Sequence, residues 1–217
     1  MAILQITELL QVDKPITWLF YGDSITQGAL HTSGCRDYGE LFGERIRWEL
    51  GRSMDVVINT AISGNTTREL IETFEWRVAR FLPNIAFLMI GVNDCHPDYL
   101  ISYEQFYNNL ETLVSMFHKI NTLLVLQTSN PMLPGATSER ERYFPDYMDA
   151  VRKIAAAGNI PLIDHAKHWQ QNVERHYYWM SDGVHPNEYG HRVFAHLLLN
   201  ELGLFDPQSR TCRLFIP

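Results

Sequence analysis

A serine, a histidine and an aspartate carry the first chemical signal. The stretch FYGDSITQGA (Phe20–Ala29) ends an apolar run on Gly22, Asp23 and Ser24. Far downstream, Asp182-Gly183-Val184-His185-Pro186 sets a carboxylate three residues ahead of an imidazole. A serine hydroxyl is a poor nucleophile until a neighbouring base takes its proton, and imidazole is the base suited to neutral pH. The imidazole in turn needs an acceptor on its other nitrogen to fix tautomer and orientation. Asp182, across a tight turn from His185, is placed for that. Two further segments supply donors for an oxyanion: Ser63-Gly64-Asn65 and Gly91-Val92-Asn93-Asp94. The backbone N–H groups of Ser24 and Gly64 and the Asn93 amide make three. Each segment alone fits a capped turn, since Ser, Asp and Asn all bond their own backbone. Capped turns do not explain why the set holds a nucleophile, a base, an orienting acid and oxyanion donors together.

The elements that must position these residues are legible. Five nearly continuous apolar runs, Ile16–Tyr21, Val56–Ile62, Ile85–Ile90, Leu123–Gln127 and Ile160–Ile163, suit strands of a parallel sheet buried on both faces. Helical periodicity separates them. Leu41, Ile46 and Leu50 mark one helix, ending at Gly51. Thr66-x-x-Glu69, a capping box, opens a second running through Leu70, Ile71, Phe74 and Val78. Ser102-x-x-Gln105 opens a third with Phe106, Leu110, Leu113, Val114 and Phe117 on one face. A fourth is expected to start near Pro145, and a last one follows Pro186 and Asn187. Alternating strand and helix means right-handed crossovers and an α/β sandwich, expected as one domain over 1–217 with a tail at 204–217 packed across it. Ligands of open α/β sheets bind beyond the carboxyl ends of the strands, where the polar segments fall.

Those segments together resemble the SGNH hydrolases, also called GDSL esterases and lipases. The four blocks are GDSITQG (Gly22–Gly28), SGNTT (Ser63–Thr67), GVND (Gly91–Asp94) and DGVHP (Asp182–Pro186), complete and in order. The family letters fall on Ser24, Gly64, Asn93 and His185. The resemblance implies a flavodoxin-like three-layer α/β/α sandwich with strand order 2-1-3-4-5. It implies Ser24 as nucleophile, His185 as base, Asp182 as its partner, and Ser24, Gly64 and Asn93 as the oxyanion hole. Ester hydrolysis through an acyl-Ser24 intermediate follows, with no metal or other cofactor.

The blocks do not report the ester. Candidate substrate contacts are Asp23 and Asn65 beside the nucleophile and Gly64, Cys95 and His96 after Asn93, and Val184 within DGVHP. Trp179, with Tyr177 and Tyr178, fits the site and the core equally well. The long segments Cys95–Ile101 and Ser129–Phe144 are the expected specificity loops. No lid-like amphipathic segment is seen, which favours short-acyl or carbohydrate acetyl esters over long-chain lipids. Acyl transfer to another acceptor, lysophospholipid or thioester hydrolysis, and a silent carbohydrate-binding module are the alternatives.

Composition excludes other classes. The 217 residues carry a formal net charge of −7, against nucleic acid and against stable docking on anionic membranes. Cys35, Cys95 and Cys212 form no disulfide or zinc pattern. His165 and His168, and His191 and His196, lack the acidic partners of a metal motif. No transmembrane run or secretory leader is visible, so a cytoplasmic location is expected.

Overall fold

The computed structural model describes the backbone of residues 2–217 and the side chains of Ile6 and residues 8–217; Met1, within the expected 1–217 span, lies outside them. A helix α1 (Ala2–Gln11) precedes the sheet. The strands are β1 (Thr17–Gly22), β2 (Val56–Asn59), β3 (Ile85–Met89), β4 (Leu123–Gln127) and β5 (Leu162–Ile163). All pair in parallel, in the order β2-β1-β3-β4-β5. The strand order implied by the resemblance is therefore the observed one.

Alternation along β1 shows the two faces. Trp18 and Phe20 pack with Phe42 and Phe87 in an aromatic cluster, ring centroids 4.8–6.3 Å apart. Phe42 comes from α3 (Tyr38–Glu44), a capped helix that runs on as a π-helical turn, Arg45–Glu49. Tyr21 points to the other face, where Phe74 stands. The residues after β2 reach that face as α4 (Thr67–Glu72) and α5 (Phe74–Arg77), with a break at Thr73 in what the sequence suggests is one helix. There α6 (Tyr103–Lys119) buries Phe106, Leu110, Leu113 and Phe117 as its periodicity demands, and packs on α7 (Ser138–Ala157). Two short helices, α8 (His165–Gln170) and α9 (His176–Trp179), lead to α10 (Glu188–Glu201), which packs on α3.

Three expectations need correction. Strand β2 is an edge strand and only half buried, with Val56 at 48% exposed, because one side has no neighbour. Helix α7 begins at Ser138, two turns before Pro145. Glu141 is the reason: its carboxylate accepts the N–H groups of Gly135 and Thr137 and starts the helix early. The loop after β4 is correspondingly shorter than Ser129–Phe144. In agreement with a capped turn after β1, helix α2 (Ser24–Gln27) is a single turn that Ser24 opens.

The tail packs against α10 and the π-helical turn after α3. Thr211 donates through its N–H and hydroxyl to Glu49, Arg192 donates to Phe215 O, and Cys212 is buried. Among the described residues no helix is long and apolar enough to cross a membrane.

Candidate active site

The register aligns Gly22 with Met89, so β1 and β3 end level. A Cβ on Gly22 would lie 2.3 Å from Met89 O, so only glycine lets the chain turn into α2 there. Asp23 caps that turn: its Oδ1 accepts the Ile25 N–H at 2.9 Å. Ser24 is thereby lifted to the sheet edge, 6% exposed.

His185 reaches Ser24 from 161 residues away, Nε2 lying 3.0 Å from Oγ. On its other side Nδ1 is 2.9 Å from Asp182 Oδ2. The Asp182–His185 turn is fixed locally: Asp182 Oδ1 accepts the N–H groups of both Val184 and His185 at 2.7 Å. A bridge between Met180 and Pro186 closes the hairpin, and buried Asn130 donates to Val184 O from the end of β4. Desolvation works to raise the Asp182 pKa, but the two N–H bonds and the imidazole outweigh it and hold the carboxyl below its usual value. Asp182 is ionised at neutral pH and suited to a developing imidazolium.

The side expected to hold an oxyanion is assembled from further apart. Gln27 Oε1 accepts the Ser63 N–H at 2.8 Å and draws the loop after β2 against α2. Gly64 follows at φ +80°, a left-handed backbone that glycine adopts freely, and a Cβ there would meet only open space. Buried Arg77 holds this loop, donating twice to Thr60 O and once to Asn65 Oδ1. Asn65 O accepts one Asn93 Nδ2–H at 2.9 Å, while Arg140 Nη2 reaches Asn93 Oδ1 at 3.4 Å. Asn93 keeps its second Nδ2–H. Among the described residues the N–H groups of Ser24 and Gly64 have no protein acceptor. Three N–H donors on these segments are therefore left without a protein acceptor.

Beneath this edge lie two buried carboxyls, Asp23 and Asp94. Burial pushes Asp23 up to about 7 and Asp94 up to about 6, and each keeps one buried oxygen without a protein partner. Asp94 is tied through Oδ1 to the Thr67 N–H and hydroxyl at the start of α4. It joins the end of β3 to the start of α4.

Ser24, His185 and Asp182 are thus in direct contact, and the loops carrying Gly64 and Asn93 are tied to the same edge through Ser63–Gln27 and Asn65–Asn93. The expected substrate contacts fare differently. Asp23 and Asn65 are spent on positioning, by the bonds just described. Cys95 is 2% exposed, its thiol bonds Val92 O, and burial pushes it up to about 12. His96 accepts the Asp98 N–H and caps a short turn. Val184 is buried with its N–H on Asp182. Trp179 is core: its ring is 2% exposed and its N–H donates to Pro217 O, while Tyr177 and Tyr178 face solvent. Four other histidines take no part in the Ser24–His185–Asp182 contacts. His165 and His191 are buried and pushed down to about 3, and His168 and His196 line a cavity of about 750 Å³ between β5, α8 and α10.

Two residues at the site escape sequence reasoning. His31 lies flat against His185, ring centroids 3.7 Å apart. Arg140, in the first turn of α7, backs Asn93. A histidine seven residues after Ser24 is the one signal for the first, and nothing in the chain pattern marks the second.

Known proteins resemble this chain along most of its length. The model of the GDSL-like Lipase/Acylhydrolase family matches residues 20–193. The chain is similar to an acetylxylan esterase of Geobacillus stearothermophilus, 27% identical over 212 residues, covering 88% of this chain and 96% of that protein. It is also similar to the isoamyl acetate-hydrolyzing esterase of Saccharomyces cerevisiae, 25% identical, covering 88% and 87%. The crystal structure of an acetylxylan esterase from Geobacillus stearothermophilus shares the fold, with TM-score 0.73 at 22% identity over 87% of this chain and 94% of that one.

Proposed function

The chain belongs to the GDSL-like lipase/acylhydrolase family, and from that premise we propose that it hydrolyses short-acyl esters, acetylated carbohydrates foremost, through an acyl-Ser24 intermediate. Ester hydrolysis as such comes with the family. The observation that carries the acyl-serine is the continuous chain from Ser24 Oγ through His185 to Asp182, with steps of 3.0 and 2.9 Å.

In this reading Ser24 Oγ attacks the ester carbonyl carbon while His185 Nε2 takes the hydroxyl proton. Asp182 stays ionised and offsets the positive charge on the ring. The carbonyl oxygen, now an anion, takes hydrogen bonds from the N–H groups of Ser24 and Gly64 and from Asn93 Nδ2. Collapse breaks the bond to the alkoxy oxygen, which leaves with the proton held by His185. Water then attacks the acyl-serine, giving its proton to His185, and the second collapse returns that proton to Ser24 as the acid departs.

Three facts support a small or sugar-borne acyl ester. The groups tied to His185 and Asn93 are polar: His31 stacks on His185, and Asn65 and Arg140 bond Asn93. The 750 Å³ cavity is lined by residues such as Leu162, Lys167, Arg175 and Leu197 and not by Ser24 or His185, so it gives the serine no acyl channel. Both named relatives act, by their names, on acetate esters.

The test is hydrolysis of p-nitrophenyl esters from acetate to octanoate, with acetate release from an acetylated xylo-oligosaccharide, alongside fluorophosphonate labelling. Activity highest on acetate, and one adduct on Ser24 that Ser24→Ala loses, is the expected result. Activity rising with chain length would overturn the short-acyl reading. A folded wild type that takes no label would overturn the acyl-serine.

A further inference from the structure

His31 has a geometry that packing alone does not require. Its ring is parallel to that of His185, with an interplanar angle of 3° and centroids 3.7 Å apart. Its Nδ1 stands 3.6 Å from Asp182 Oδ2, the same oxygen that receives His185 Nδ1. At that length the contact is electrostatic rather than a hydrogen bond. The backbone around it is strained to achieve this. Leu30 has φ +70°, and the His31 N–H bonds Ala29 O at 2.8 Å, two residues back. That is a γ-turn of the rare, strained kind. The Leu30 side chain is 87% exposed, so its own burial cannot be what holds the turn. What the turn accomplishes is to aim His31 back over His185. Strain of this type persists where the surrounding structure over-determines a position, and it concentrates at functional sites.

One use of the cluster can be set aside on geometry. The ligating atoms of His31, Asp182 and His185 lie within 4.8 Å of one another. Imidazole lone pairs lie in the ring plane, however, and the two planes are stacked. An ion in the plane of one ring stands well out of the plane of the other, so the two nitrogens do not converge.

We propose that His31 is a positioning residue of the hydrolysis, a neutral aromatic face that confines the His185 ring to the plane of Ser24 Oγ and Asp182 and stabilises its positive charge as that charge forms. The inference rests on the acyl-serine reading above. The imidazole torsion of a histidine is broad, so a ring held only at its two nitrogens can tilt about the line joining them. A flat neighbour on one face removes that freedom. Once Nε2 takes the serine proton, the π-face of a neutral ring attracts the imidazolium, and this attraction is absent while His185 is neutral. A contact that strengthens only as the reaction proceeds raises kcat and leaves substrate binding alone.

The role needs His31 uncharged, and its surroundings favour that. Burial first, and then repulsion from His185, hold its pKa below the ordinary histidine value, although Asp182 pulls the other way. The remaining titratable neighbour is His191 on α10, itself buried.

The experiment compares wild type with His31→Phe, His31→Leu and His31→Ala on p-nitrophenyl acetate, kcat and KM read separately and folding checked by thermal melting. Phenylalanine keeps an aromatic face, whereas leucine keeps bulk without one. Expected is a fall in kcat of about tenfold for leucine and alanine at unchanged KM, within the range of a cation–π contact, with phenylalanine restoring kcat to within about threefold of wild type. Should the alanine variant fail to fold, the leucine and phenylalanine pair decides. Kcat within twofold of wild type for leucine, an equal loss for phenylalanine and leucine, or a loss confined to KM would overturn the inference. A wild type that turns over no ester would overturn the acyl-serine reading and this one with it, whereas an active wild type beside an unmoved leucine variant overturns this one alone.

Discussion

Two carboxyls flank Ser24, and they have opposite proton affinities. Asp182, on the base side, has a side chain 48% exposed and a pKa held below normal by N–H donors and an imidazole. Asp23, beneath the oxyanion side, is wholly buried and is pushed up to about 7. The difference follows from how each flank is built. The base side is mostly local: Asp182 to His185 set the carboxylate and imidazole within one turn, which the Met180–Pro186 bridge closes and Asn130 steadies from the end of β4. The oxyanion side is assembled from the ends of β1, β2 and β3 and from α7, through Gln27, Arg77, Asn65, Asn93 and Arg140. A local turn can stand partly in water and keep a charged acid. A convergence of strand ends encloses its polar groups, and a carboxyl enclosed there is kept protonated to higher pH.

Breaking the base side should cost the most. His185→Ala is expected to lower kcat on p-nitrophenyl acetate by roughly 10⁴-fold or more, and Ser24→Ala with His185→Ala together no further than the worse single variant. A double variant slower than both singles would mean that the two residues do not act as one unit. Next comes the oxyanion side. Asn93→Ala removes one of three donors and is expected to cost about 10²–10³-fold in kcat with KM little changed, by steady-state kinetics on the same substrate. A loss no greater than a few-fold would place the oxyanion elsewhere.

The smallest effect contrasts the two carboxyls directly and appears in stability. The Asp23 pKa is raised on folding, from an unfolded value near 3.8 to about 7, so the folded state holds a proton the unfolded state has lost. Its contribution is full below the unfolded value and is lost as pH rises through that window. Asp23→Asn keeps a capping oxygen but cannot titrate. Urea unfolding at pH 4.5 and pH 8 should therefore show the variant gaining on wild type by up to a few kcal/mol at the higher pH. Parallel curves would mean that Asp23 is not the buried acid described.

Much of this was legible along the chain because the information is local. Apolar runs bounded by turns give strands whatever their neighbours, and the Thr66 and Ser102 capping boxes start helices where the sequence places them. Asp182 and His185 could be read as a pair because three residues of turn join them. What failed depended on neighbours. Val56 looks like its companions in the sheet but sits at an edge, and Trp179 reads equally as wall or core until α8 and α10 close over it. Glu141 moves a helix start by reaching back to Gly135, which no periodicity reports.

The sequence by itself determined which chemical groups were available and that they would gather at one edge, since parallel strands end on the same side. Only the tertiary structure decided how they are held. Arg77 reaching Asn65, Arg140 reaching Asn93 and His31 lying on His185 are meetings across 12, 47 and 154 residues of chain. Such contacts exist only once the sheet has formed, because the distance between two side chains far apart in sequence is set by the packing of everything between them.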